Sequence, residues 1–143
     1  ISDGAAALML TSRGEADRLG LTVLATIKGH TTHAQEPSLF TTAPVGAMAK
    51  LLANVGWSTD EVDLFEINEA FAMVTMLAVS ELGLDIAKVN VNGGACALGH
   101  PIGCSGSRLL VTLIHALKAR GLKRGVASLC IGGGEATAMA IEV

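Results

Sequence analysis

Three short stretches of this chain hold residues whose types and spacing suit them to chemistry. The first is Asn68-Glu69-Ala70-Phe71-Ala72. Its Asn can cap a helix by accepting a first-turn amide, with Glu69 complementing the dipole; it can equally hydrogen-bond a substrate or an ordered water. The second runs from Asn92 to Arg108 and surrounds a single imidazole, His100, with Gly93, Gly94, Gly99, Gly103 and Gly106. Glycine forfeits more chain entropy on folding than any other residue. Such a density is costly for mere connection and suits a backbone that approaches a ligand closely, with His100 as a hydrogen-bonding group. The plainer alternative is a turn histidine with no role. The third stretch is Cys130-Ile131-Gly132-Gly133-Gly134-Glu135. A Cys in an apolar strand ordinarily behaves as a small hydrophobe. Three glycines directly after it leave amides free to face a developing oxyanion, and a thiol beside them can work as an acid/base.

Other chemistries fit these residues poorly. Cys96, His100 and Cys104 stand four apart, as zinc ligands on one helix would, but Gly99, Pro101 and Gly103 break any continuous helix through them. No metal site is therefore expected. A phosphate-binding loop needs a Lys after its second Gly, and none occurs here; a Gly-x-Gly-x-x-Gly after a strand is also missing.

The surrounding pattern supplies elements to position these loops. Residues 4–11 read as a short apolar strand, and 15–19 as a helical turn closed by Gly20. Alternation over 21–31 predicts a strand, and 32–42 a loop. Pro44 suits a first helical turn, with apolar residues at helical spacing over 45–54. Ser58-x-x-Glu61 has the form of a capping box. Residues 63–67 predict a buried strand, 69–82 a helix stopped at Gly83, and 89–92 a brief strand. Leu109, Leu113 and Leu117 mark a long helix over 103–120, stopped at Gly121. Strands at 126–131 and 136–143, joined by glycines, predict a hairpin.

From residue 21 the order is β-α-β-α-β-α-β-β. That predicts an α/β fold with a five-stranded mixed sheet and helices on both faces. In such sheets ligands collect beyond the carboxyl ends of the strands, where all three loops fall. We place the main domain at residues 20–143, and read 1–19 as the tail end of a preceding domain, since Ile1-Ser2-Asp3-Gly4 reads as chain cut from something longer.

Composition narrows the function classes. The 143 residues suffice for one domain rather than two, and with 3% aromatics the core must be built from aliphatic side chains. A net charge of −3 with no basic run argues against nucleic acid. The longest apolar run, residues 70–79, is interrupted by Thr75 and too short to span a bilayer. Three cysteines without a C-x-x-C pair point to a reducing, cytoplasmic setting.

Taken in order, the three loops resemble the carboxyl-terminal motifs of the thiolase family. The likeness covers Asn68-Glu69-Ala70-Phe71-Ala72, then Gly93-Gly94 through Gly99-His100-Pro101-Ile102-Gly103 to Arg108, then Cys130-Ile131-Gly132-Gly133-Gly134. Weaker likeness extends to Ser2-Asp3-Gly4-Ala5-Ala6-Ala7 and to Gln35-Glu36-Pro37 with Ala43-Pro44-Val45. The resemblance implies one half of a thiolase fold and an acyltransferase that condenses two acetyl-CoA to acetoacetyl-CoA and CoA, or runs the reverse thiolysis.

It also implies roles. His100 would activate a nucleophilic cysteine and help bind the thioester oxygen, Asn68 would hold the water completing that oxyanion hole, and Cys130 would move the α-carbon proton. The Gly132 amide would serve a second oxyanion hole, and Phe71 with Ala70 would contact the pantetheine arm. Coenzyme A thioesters are then substrates, with no further cofactor. The partners implied are the amino-terminal half of a thiolase, in the same longer chain or another, and further copies in a homo-oligomer. The family's acyl-accepting cysteine belongs to that half, so this chain alone is expected not to turn over. A longer-chain 3-ketoacyl-CoA thiolase and a non-catalytic thiolase-like subunit are the alternatives. A ketosynthase would use two histidines where this chain has Asn68, His100 and Cys130.

Overall fold

A computed structural model describes residues 2–143; of the tail expected at 1–19, Ile1 lies outside the described residues. Nine regular elements follow in order: α1 (Arg13–Leu19), β1 (Thr26–Ala34), α2 (Ala43–Val55), β2 (Leu64–Ile67), α3 (Ala72–Leu82), α4 (Ala95–Leu98), α5 (Ile102–Arg120), β3 (Arg124–Ile131) and β4 (Glu135–Glu142). Short 3-10 turns cover Pro37–Thr42 and Ile86–Lys88. The strands form one mixed sheet in the order β1-β4-β3-β2. β4 pairs antiparallel with both β1 and β3, while β2 and β3 run parallel.

Alternation along the strands divides the core into two layers. Phe65 and Ile67 of β2 join Val126 of β3 and Ala136, Ala138 and Ala140 of β4 under α2 and α3. From α2 come Ala43, Ala47, Met48, Leu51 and Leu52, the spacing of one helical stripe. The alanine row on β4 is short enough to let α2 lie close against the sheet. On the other face Leu109, Leu113 and Leu117 of α5 cover Leu64, Ala127 and Ile141. The helices end where the glycines predicted, with Gly56, Gly83 and Gly121 all left-handed.

Four expectations need correction. The sheet has four strands, not five. Residues 89–92 contribute only a single parallel bridge from Val89 to Phe65. Asn90 then turns to φ 47°, and its side-chain amide takes over both main-chain groups of Ile67 that a fifth strand would have bonded. Residues 4–11 form no strand, because no neighbour offers them a ladder. β1 begins at Thr26 rather than 21 and continues through Ala34, into the stretch expected to be loop. Finally, α3 begins at Ala72, so Asn68 is not its cap. The Ser58–Glu61 turn does close on itself, with the Ser58 amide donating to Glu61 Oε2 at 2.9 Å.

Candidate active site

The carboxyl ends of β2 and β3 carry the first and third chemical loops. Parallel pairing puts Ile67 beside Ser128, and one step further the Asn68 amide donates to the Ser128 carbonyl at 2.9 Å. That main-chain bond fixes Asn68 at the sheet edge with its side chain wholly buried. Two residues along β3 lies Cys130, half-buried and packed against the α2/α3 core.

The second loop comes to this edge from the other side of the sheet. His100 precedes α5 by two residues, after a break between α4 and α5 at Gly99-His100-Pro101. Its Nε2 lies 3.3 Å from Asn68 Nδ2, and its Nδ1 lies 2.6 Å from Ser105 Oγ. The geometry suits one tautomer. Ser105 Oγ lies 3.1 Å from the Pro101 carbonyl, to which it can give its single proton. In the tautomer that complements this, Nδ1 donates to Ser105 and Nε2 turns its lone pair toward the Asn68 amide. The other Asn68 atom, Oδ1, is buried with no partner among the described residues.

Charged residues tie the two loops together. Glu66 faces the α5 side and meets Arg108 Nη1 at 3.1 Å. Burial pushes the Glu66 carboxyl up to about 7, against the downward pull of the Arg108 charge and hydrogen bond; the nearby Glu69 adds a small upward push. Glu69 accepts from Asn90 Nδ2 and from the Cys96 amide, each at 2.9 Å. Its carboxylate occupies the space a side chain at Gly94 would fill, which is why that position is glycine. Burial raises the Glu69 carboxyl, but the Cys96 amide and Asn90 outweigh it and the net position is below the ordinary value.

The Cys130 loop is built differently. Burial pushes its thiol up, opposed by its own main chain, so the side chain is a protonated thiol at neutral pH. Gly134 has φ 94°, and a Cβ there would run into the Gln35 carbonyl and Pro37, which excludes a side chain. Its carbonyl accepts from the Gln35 amide at 3.0 Å, locking the hairpin turn to the chain after β1. Gly132, by contrast, faces open space. Phe71 is more than half exposed and stacks edge-on against Phe40 with centroids 6.0 Å apart. Ala70 lies partly buried just before it.

Of the residues singled out in the sequence, Asn68 and His100 are in contact, and Cys130 and Gly132 end the neighbouring strand. Ser105, Glu66, Arg108 and Asn90 were not anticipated. The one sequence signal was Glu66, a charge inside an otherwise apolar buried strand, which demands a partner. Of the two cysteines that flank His100, Cys104 is buried and Cys96 is exposed.

The arrangement can hold a lone-pair nitrogen, an amide and a thiol around one edge of a sheet. Comparison with known proteins agrees with the motifs. The family described as thiolase, C-terminal domain, matches residues 21–143. An acetyl-CoA acetyltransferase of Chromobacterium violaceum is 53% identical over 142 residues, 99% of this chain and 36% of that protein. The crystal structure of the Bacillus anthracis acetyl-CoA acetyltransferase superposes with a TM-score of 0.89 at 49% identity, covering 92% of this chain and 33% of that one. That of human mitochondrial 3-ketoacyl-CoA thiolase gives 0.89 at 44% identity with the same coverage. The chain thus spans about a third of the length of the relatives it matches. On motifs, fold and full-chain identity together, this chain belongs to the thiolase family.

Proposed function

We propose that this chain supplies the acid/base and oxyanion-binding groups of a thiolase that condenses two acetyl-CoA to acetoacetyl-CoA and CoA, or thiolyses acetoacetyl-CoA. The observation that carries the reading is the Asn68–His100 contact at the carboxyl edge of the sheet, read in the tautomer that turns the Nε2 lone pair toward Asn68. A nitrogen in that state can take the proton of a nucleophilic cysteine, then donate it as N–H to the thioester oxygen as charge builds there. The unpartnered Oδ1 of Asn68 suits a water that completes the same hole. That nucleophilic cysteine would come from the family's amino-terminal half, in the same longer chain or a partner, and without it this chain is inactive. The family match begins at residue 21, which supports reading 1–19 as the tail of a preceding domain.

Cys130 is the acid/base for carbon. As thiolate it removes a proton from the α-carbon of the second acyl-CoA, and as thiol it returns one in cleavage. Its raised proton affinity suits the return step. The Gly132 amide, at a position where even a side chain would meet only open space, serves the oxyanion of the acyl-enzyme. Phe71 and Ala70 border the pantetheine arm, for which the exposed Phe71 ring offers an apolar surface. The enzyme works in the cytoplasm as a homo-oligomer; the three free thiols support a reducing setting. A second reading, thiolysis of longer 3-ketoacyl chains, is supported by the equal likeness to the human enzyme's fold.

The test is Cys130→Ala in the full-length protein, assayed for deuterium uptake at the acetyl-CoA methyl group and for acetoacetyl-CoA thiolysis. An enzyme loses both, by roughly 100-fold or more, the range of a positioned acid/base. A non-catalytic subunit, having neither activity to lose, keeps every measured property.

A further inference from the structure

Asn68 is gripped on both sides by one residue. The Asn90 side chain accepts from the Ile67 amide and donates to the Ile67 carbonyl, both at 2.8 Å, immediately before Asn68. Immediately after Asn68, Glu69 Oε1 accepts from the same Asn90 Nδ2 at 2.9 Å. Asn90 holds φ 47° to do this, a conformation that non-glycine residues adopt at a cost, and its main chain is pinned in turn to Phe65 and Gly93 at 2.8 Å each.

The second oxygen of Glu69 reaches into the other loop. Oε2 accepts from the Cys96 amide at 2.9 Å, in the first turn of α4. Gly94, the residue before α4, has no side chain with which to cap it. A carboxylate from 27 residues earlier in the chain therefore supplies the cap. Four residues on from Cys96 stands His100. Glu69, itself on the Asn68 loop, thus ties that loop to the His100 loop with one oxygen on Asn90 and the other on the Cys96 amide.

We propose that Glu69 is a positioning residue for the Asn68–His100 pair. It never touches the reacting atoms. By bonding Asn90 with one oxygen and the Cys96 amide with the other, it sets how far the β2–α3 loop stands from the His100 loop. The inference rests on the reading of that pair as the reactive centre.

Glu69→Ala and Glu69→Gln in the full-length protein test it. Gln can accept only one of the two hydrogen bonds, because its amide nitrogen faces a donor at the other. The expected result is a kcat for acetoacetyl-CoA thiolysis lowered about 100-fold in Glu69→Ala, the effect of a displacement of about 1 Å, with KM changed less than about twofold. Glu69→Gln should fall between. The 15N resonance of His100 Nε2 should move in the same order. A purely structural role would lower thermal stability in both variants yet leave kcat and the His100 resonance at their parent values, and that result overturns the proposal. Should Glu69→Ala fail to fold, Glu69→Gln decides by the same two readouts. If the parent protein shows no thiolysis at all, the proposed reaction fails; the His100 resonance still tells whether Glu69 sets the pair.

Discussion

Asn68 and His100 stand 32 residues apart in the chain and meet at 3.3 Å, amide nitrogen to imidazole nitrogen. Nothing local enforces this. Asn68 is fixed by its own amide on the Ser128 carbonyl, His100 by Ser105 at the start of α5, and the two loops by Glu69 and by the Glu66–Arg108 pair. The contact is therefore a product of the whole sheet edge.

Replacing Asn68 with Ala removes one neutral donor and the buried Oδ1 acceptor together. On the proposed reaction, kcat for thiolysis by the full-length protein should fall by about 100- to 1,000-fold, the usual consequence of losing one oxyanion-binding group. Stability should change little or rise slightly, because an unpartnered buried polar atom goes with the side chain. A parent-like kcat in a folded Asn68→Ala protein would remove Asn68 from the mechanism.

Ser105→Ala tests the tautomer. Among the described residues the hydroxyl is the sole partner of His100 Nδ1, and without it nothing there holds a proton on that nitrogen. The 15N spectrum of His100 should change from one neutral tautomer to a mixture. Activity should drop by the fraction of enzyme whose Nε2 has become protonated, about twofold to tenfold where the two tautomers are of similar energy, since RT ln 10 is only about 1.4 kcal/mol. An unchanged 15N pattern would mean that Asn68, not Ser105, selects the tautomer.

Glu66 carries a pH prediction. Its carboxyl is raised to about 7 in the folded protein, chiefly by burial, whereas in the unfolded chain it titrates near its ordinary value of about 4.3. The folded state therefore binds the extra proton. Its contribution to stability is complete below about pH 4 and is lost as pH rises through 7. Relative to Glu66→Gln, the parent should lose stability between about pH 4 and pH 7, by an amount on the order of 4 kcal/mol at most. Urea titrations of the two proteins across that range check the sign, and a carboxyl 13C midpoint for Glu66 near 4.3 instead of 7 would refute it.

Much of this architecture was legible in the residues. The leucine steps of α5, the Pro44 start of α2 and the left-handed glycines behind four helices all carry local signals strong enough to place their elements. What failed was long-range. Residues 4–11 look like a strand by composition, but a strand needs an edge to pair with. Residues 89–92 look like one too, until Asn90 uses its side chain in place of its main chain. The site divided the same way. Asn68, His100 and Cys130 stood out because glycines and a known motif surround them. Ser105, Asn90 and Arg108 are ordinary residues at ordinary positions, and only the fold gives them partners 5, 23 and 42 residues away.

The three cysteines should separate by reactivity. Alkylation needs the thiolate and a path to it. Cys96 is exposed, Cys130 half-buried and Cys104 buried, so iodoacetamide should label them in that order in the folded protein. Both titrating thiols are held above the ordinary cysteine value. Burial and then the Glu69 carboxylate raise Cys96, while burial alone raises Cys130. Labelling at either should therefore be slow at pH 7 and rise steadily toward pH 10. Glu69→Gln removes the negative charge beside Cys96 and should accelerate its labelling at pH 8 while leaving Cys130 unchanged. Peptide mass mapping over a time course reads all three sites at once. Rapid labelling of Cys130 at pH 7 would mean a thiolate already formed there, which would count against its proposed role of returning a proton to carbon.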